Sequence, residues 1–239
     1  MKKYFYDLHI HSCLSPCGDD EATPASIAGI GKLNGLDIMA LTDHNTAKNC
    51  PAFFKAAKAY EIIPIAGMEL TTAEDIHVVC LFKTLEDALL FDNALSKKRI
   101  LIPNRPDIFG RQLIMDEEDN IIGEEENVLS FATSLSFDEV PDFVKSFGGV
   151  CYPAHIDRPS NSVIAVLGAF PPDIKFPCAE MHGREKIYDY AAMASISPEK
   201  LVFSSDAHQL LDIKEALDYI ELPDDDRNAV ENLFKVLGF

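Results

Sequence analysis

Residues 7–12 read DLHIHS and continue the run YFYDLHI at positions 4–10. Aromatic and branched side chains at that spacing predict a strand over Tyr4–Ile10. Side chains at i and i+2 of a strand share a face, so Asp7, His9 and His11 stand in one row at its carboxyl end. Buried without a metal, that row would leave imidazole nitrogens and a carboxylate unsatisfied. Metal binding explains it better.

Working outward, the chain holds seven histidines, and most sit beside apolar runs. Asp43 and His44 lie in LTDHNT, after an expected strand Asp37–Leu41. Glu69 lies in AGMEL, after a strand Ile62–Ala66, with Gly67 letting the chain turn. His77 borders the strand His77–Phe82, and His155 follows Val150–Pro153. Asp206 and His208 follow Leu201–Ser204 in VFSSDAH, again at i, i+2 spacing. Strand carboxyl ends are where sites assemble in parallel α/β proteins.

Helices are expected at Pro24–Leu33 with Thr23 as N-cap, Ala52–Tyr60, Leu85–Leu95, Phe137–Phe147, Ser162–Leu167, Glu185–Ala194 and Asp224–Leu237. Ser136 and Glu139 form a capping box before the fourth of these. Cys178–Met181 and Tyr219–Glu221 complete the strands. This alternation indicates an α/β class with a parallel sheet or barrel, in one domain spanning 1–239. The pattern breaks at about 97–127, read as an insertion or long excursion with a hairpin around Glu118–Asn120.

Of the 239 residues, 47 % are apolar, enough for a sizeable core. A formal net charge of -18 argues against electrostatic binding of long nucleic acid. A small phosphorylated substrate or a short oligonucleotide is still admitted, because bound cations supply positive charge locally. The six cysteines form no CxxC pair, which fits free thiols in a reducing compartment. No apolar run suits a signal peptide or membrane span, so the default location is cytoplasmic. No glycine-rich phosphate loop or GxSxG elbow is present.

Eight or more nitrogen and oxygen donors exceed the needs of one ion. Two or three divalent ions sharing a carboxylate are expected, and imidazole-rich sites suit zinc, manganese or iron. In order, DLHIHS, LTDHNT, GMEL, the histidine of EDIHVV, PAH and SDAH resemble the motifs of the PHP (polymerase and histidinol phosphatase) superfamily, from Asp7 to His208. DxHxH alone is loose, since amidohydrolases carry HxH on a first strand; the ordered set is specific. The resemblance implies a distorted (β/α)7 barrel with a trinuclear site at the strand carboxyl ends, and phosphoesterase chemistry. It implies one ion on His9, His11, Glu69 and Asp206. A second would take His77 and His155 with Glu69 bridging, and a third His44 and His208.

One departure stands out. Family members usually add a His or Asp after the first motif, where this chain reads SCLSPCGDD over 12–20. Cys17 as a thiolate would favour zinc, and Asp19 or Asp20 are the alternatives. His182 could contact substrate or act as a general acid. Asp7 and Asp43 would orient the neighbouring histidines, with Asp43 also a candidate proton acceptor. Arg158 and Arg184 follow histidines near strand ends and could fork onto phosphate oxygens; Arg105 and Arg111 could act from a lid. For each arginine a surface ion pair is the alternative. The expected reaction is hydrolysis of a phosphate ester by a metal-activated hydroxide. Two alternatives remain: a C–N or lactone hydrolase of amidohydrolase type, and a metal-stabilised binding module without catalysis.

Overall fold

In the computed structural model, residues 1–238 are described; Phe239, the last residue of the expected domain, lies outside them. The chain runs β1 (Lys2–Asp7), α1 (Pro24–Leu33), β2 (Ile38–Leu41), α2 (Cys50–Ala59), β3 (Ile63–Thr71), β4 (His77–Phe82) and α3 (Leu85–Leu95). The excursion follows, with α4 (Pro106–Phe109) and a hairpin of β5 (Leu113–Met115) and β6 (Ile121–Glu124). Its turn closes on Asp116, whose Oδ1 accepts from the Glu118 and Asn120 amides at 2.9 and 2.8 Å. Then come α5 (Val140–Lys145), β7 (Gly149–Pro153), α6 (Val163–Leu167), β8 (Ala179–Met181), α7 (Ile187–Met193), β9 (Leu201–Phe203), β10 (Tyr219–Leu222) and α8 (Ala229–Leu237).

Six strands form a curled mixed sheet in the order β10-β1-β2-β3-β4-β7. Within this sheet the expected parallel pairing holds for β1, β2 and β3. β4 is antiparallel to both β3 and β7, and β10 is antiparallel to β1. The reason is local. Only Thr72–Ile76 links β3 to β4, far short of the roughly dozen residues a parallel crossover needs. β8 and β9 form a parallel pair that spans the gap between the two ends of the sheet. The Ile156 amide donates to the Glu180 carbonyl at 2.8 Å, and Ile10 bridges Ala207. Two apolar clusters flank the sheet. One, with Phe53, Phe82 and Phe91, lies under α1–α3; the other, with Tyr4, Leu8, Val79 and Tyr152, packs against α8.

Several boundaries differ from expectation. β1 stops at Asp7 because later amides turn to side chains: Leu8 donates to Ser204 Oγ and Ile10 to Thr42 Oγ1. β3 continues through Gly67 and Glu69, so Gly67 makes no turn. A Cβ there would lie 2.6 Å from the Cys80 carbonyl oxygen and 2.8 Å from Leu81 Cδ2, so glycine serves close strand approach. α5 begins at Val140, where Pro141 presets its first turn. The Glu139 carboxylate still accepts from the Ser136 amide and hydroxyl, at 3.0 and 2.7 Å, but in a turn ahead of the helix. α8 begins at Ala229 after a 3₁₀ turn at Asp226–Asn228. Gly67→Ala should lower the free energy of unfolding by about 1–3 kcal/mol. Urea denaturation reads this, and an unchanged midpoint would show that β3 and β4 part at no cost.

Candidate metal centre

His9 and His11 lie just past β1, His44 past β2, Glu69 within β3, His155 past β7, and Asp206 and His208 past β9. His77 is the first residue of β4. Because β4 is antiparallel to β3, its amino end meets the same rim as the other strands' carboxyl ends. Two of these residues are held in the left-handed backbone region, His155 at φ +29° and Asp206 at φ +53°. Non-glycine residues stay there only where the surroundings over-determine them, at a cost of order 1–3 kcal/mol each.

Glu69, 1 % exposed, is the meeting point. Its Oε1 lies 2.8 Å from His77 Nδ1, 3.0 Å from His155 Nε2 and 3.4 Å from His9 Nε2. Its Oε2 lies 3.1 Å from His44 Nδ1 and 3.4 Å from His11 Nε2. Asp206 Oδ1 is 3.4 Å from His9 Nε2 and 3.3 Å from His11 Nε2. Three groups have donor atoms within 4.8 Å of one another: His9, His11, Glu69 and Asp206; His44, Glu69 and His77; and His11, His44 and His208. The first is the set the motifs imply. In the second, His44 stands beside His77, and His155 joins through Glu69. In the third, His11 accompanies His44 and His208.

The donor set fits divalent cations. Asp206 Oδ1, His44 Nδ1 and His155 Nδ1 are buried without a hydrogen-bond partner, which is costly unless an ion satisfies them. Burial opposes charge at His11, but the adjacent carboxylates of Asp206 and Glu69 outweigh it and raise its pKa to about 9. At His44 burial is again outweighed, by Cys17 and Glu69, and the pKa rises to about 9. Burial and the neighbouring His11 lower His208 to about 3. Burial also resists ionisation of Glu69, yet the imidazoles, His77 and His9 foremost, hold its carboxyl well below the usual range. Protons on the histidines thus balance the acids, and a cation displacing them would leave neutral, ligating imidazoles.

A second tier fixes the ligands. Glu180 Oε1 lies 2.8 Å from His9 Nδ1 and accepts from the His155 amide at 3.2 Å. This buried acid was not among the residues expected at the site. Its signal was the i, i+2 spacing to His182 on an apolar strand. Asp43 does not touch an imidazole. It accepts from the Ser12 amide and hydroxyl, both at 2.7 Å, and from Ser15 Oγ at 2.8 Å. Ser15 Oγ in turn sits 2.9 Å from His11 Nδ1. Through Ser15, Asp43 is thus linked to the His11 ring. Asp7 accepts from the Ser205 amide at 3.0 Å and so anchors the loop carrying Asp206.

Above the cluster opens a cavity of about 490 Å³ whose lining includes Cys17, His44, His77, Arg158 and His208. Arg158 Nη2 is 3.4 Å from Asp206 Oδ2 and 3.3 Å from His182 Nδ1, which places exposed His182 at the rim. Arg184 is elsewhere. It pairs with Asp218, covers the Phe203 ring and lines a different cavity. Arg105 pairs with Asp107, and Arg111 with Glu124 and Asp20, and neither lines this cavity. Cys17 Sγ lies 3.2 Å from His44 Nε2. Asp19 instead accepts from the Glu21 amide and Asp20 faces Arg111, so of the three candidate ligands in SCLSPCGDD it is Cys17 whose side chain meets a histidine.

Residues 7–140 match the model of the PHP domain family. An uncharacterized protein of Methanocaldococcus jannaschii is 32 % identical over 76 residues, covering 28 % of this chain and 44 % of the relative. The fold is similar to that of the lesion-specific endonuclease EndoQ from Pyrococcus furiosus, with a TM-score of 0.65 and 18 % identity. The match covers 99 % of this chain but 56 % of that one. It is similar also to a "putative metal-dependent phosphoesterase" from Bifidobacterium adolescentis, with a TM-score of 0.57, 17 % identity, and 97 % and 96 % coverage. An Endonuclease Q complex with a 27-mer duplex carrying an abasic lesion matches at 0.62 and 18 % identity, over 96 % of this chain and 57 % of that one. The chain thus spans under half of the archaeal relative and little more than half of the endonuclease. Glu180→Gln should weaken metal binding about 10–100-fold, as loss of the partner behind a ligating histidine does elsewhere. Calorimetric titration of the metal-free protein measures it, and unchanged affinity would show that His9 needs no such support.

Proposed function

The chain belongs to the PHP domain family, and from that premise we propose that it is a metal-dependent hydrolase of phosphoric ester bonds. Its substrate is a small phosphorylated metabolite, a nucleotide or a short oligonucleotide. The observation that carries this reading is the convergence of five imidazoles on buried Glu69 beneath an open cavity walled by Arg158. We read the barrel as a distorted (β/α)7 ring of β1–β4 and β7–β9, with β10 as an added edge strand. The centre takes two or three ions of zinc, manganese or iron. His9, His11, Glu69 and Asp206 would hold one, Glu69, His77 and His155 a second, and His44, His208 and Cys17 a third.

Such ions would supply Lewis acidity at phosphorus and lower the pKa of a coordinated water. The chain's own residues do the rest. The Arg158 guanidinium presents a planar fork to phosphate oxygens, and Asp206 and His182 hold it in place. His182, exposed beside it, would give a proton to the leaving oxygen. Ser130 and Asn161, also in the lining, offer hydrogen bonds to the remainder of the substrate.

The alternatives fit less well. A C–N or lactone hydrolase would have no use for a guanidinium in the cavity wall. A purely structural centre would be closed, whereas the side chains of His77 and His208 are 13 % and 28 % exposed. The likeness to EndoQ admits DNA, but among the described lining residues Arg158 is the one Arg or Lys, and Glu69, Asp75 and Asp206 oppose polyanions. A small molecule or an oligonucleotide end fits that balance better than a long duplex. A cytoplasmic location accords with six free cysteines, and no described helix is long and apolar enough to cross a membrane.

Dialysis against a chelator should abolish hydrolysis across a panel of phosphomonoesters and phosphodiesters, and manganese, iron or zinc should restore it. Full activity in His9→Ala or Asp206→Ala would sink the proposal. Arg158→Ala should lower kcat/KM by about 10–100-fold while leaving metal content unchanged, with Arg158→Lys recovering only part. Equal loss of metal in Arg158→Ala would mean that the residue supports the centre instead of the substrate.

A further inference from the structure

The long excursion brings two aromatic rings to the cavity. Phe109 ends α4 and Phe131 follows β6, yet both line the space above the histidines. Their centroids are 5.8 Å apart with the planes at 76°, an edge-to-face pair. Phe131 is 36 % exposed. A single exposed phenylalanine is ordinary. Two in contact, in the wall of a cavity whose other lining side chains are polar, charged or a thiol, form an apolar surface where phosphate itself has no use for one.

Both rings are pinned to the metal-binding loops. Asn45, next to His44 and held at φ +52°, donates from Nδ2 to the carbonyls of Leu129 and Phe131 at 2.6 and 3.0 Å. Its Oδ1 accepts from the Thr71 amide at 2.9 Å, which ties the same side chain to β3. On the other side, Gly110 follows Phe109 at φ +86° and packs so closely on Pro16 that a Cβ would strike the Pro16 carbonyl oxygen. Pro16 adjoins Cys17. The aromatic pair is therefore a fixed wall built onto the centre.

We infer that Phe109 and Phe131 form a stacking platform for the base of a nucleotide whose phosphate sits at Arg158 and the histidine cluster. The inference rests on the phosphoesterase reading and narrows its substrate class. The cavity, at about 490 Å³, lies within the usual ~300–1,000 Å³ range for a small-molecule site. A sugar phosphate would leave the aromatic wall bare. A base stacks on an aromatic ring whatever its identity. Asp75 and Ser130, both in the lining, offer polar partners to the edge of a heterocycle, which a plain aryl ester would not use. A base on this wall must be unpaired, so the substrate is a free nucleotide or an unpaired terminal one.

The test is equilibrium binding to the metal-loaded protein, with phosphonate isosteres of AMP, ribose 5-phosphate and phenyl phosphate that cannot be hydrolysed. The AMP isostere should bind at least about tenfold tighter than the ribose one. Phe109→Leu with Phe131→Leu, which keeps apolar volume but removes both rings, should bring the two within about twofold. Phe131→Trp should keep the preference. Equal binding by the unaltered protein, a preference that survives both leucines, or phenylphosphonate binding as tightly as the AMP isostere would each overturn the inference. Binding does not require turnover. A protein that hydrolyses no phosphate ester yet keeps the tenfold preference would overturn the phosphoesterase reading alone and support the platform.

Discussion

Glu69 is a carboxylate placed near the middle of the sheet with almost no access to water. An ionised acid there is expensive to desolvate, and removing its partners would leave an uncompensated buried charge. Five imidazoles from four separate chain segments meet its two oxygens. Much of the architecture follows from satisfying that one group. β4 runs antiparallel so that His77 reaches it from the amino end. His155 adopts a left-handed backbone so that its ring turns toward it. Gly67, two residues earlier, lets β4 approach closely.

The histidine and carboxylate cluster was legible in the sequence because its signal is carried by residue type at short range. Two histidines one residue apart at the end of an apolar run have few other uses, and the same holds for Asp206 and His208. What was not legible depends on pairing between distant segments. Glu180 becomes a partner of His9 only because β8 falls beside the end of β7. Arg184 follows a strand as Arg158 does, but Asp218 and the Phe203 ring draw it away. Asp43 looked like a neighbour of His44 and instead holds Ser12 and Ser15. The fold shows the same division. Helix ends with local caps, such as Thr23 before α1, were readable, whereas the direction of β4 was hidden in a strand-like run that suits either orientation.

Charge is distributed unevenly. The chain is strongly acidic, and two arginines of the excursion pair with acids beside them, Arg105 with Asp107 and Arg111 with Glu124. At the cavity the balance is set by imidazoles, whose charge yields to whatever ion arrives. Arg158 is the fixed positive group there, and it leans on Asp206, itself among the ligand donors. One carboxylate thus faces the imidazoles with one oxygen and that guanidinium with the other.

The bridge between Ile10 and Ala207 joins the beginning of the ring to its end. A chain emerging from its amino terminus presents His9, His11, His44, Glu69 and His77 long before His155, Asp206 and His208 exist. Contacts so remote along the chain form late and slowly. Closure of the ring and completion of the centre are then a single event, and an ion that binds only the closed state acts as a latch on it. Metal present while the chain folds would then raise the share of chains that close.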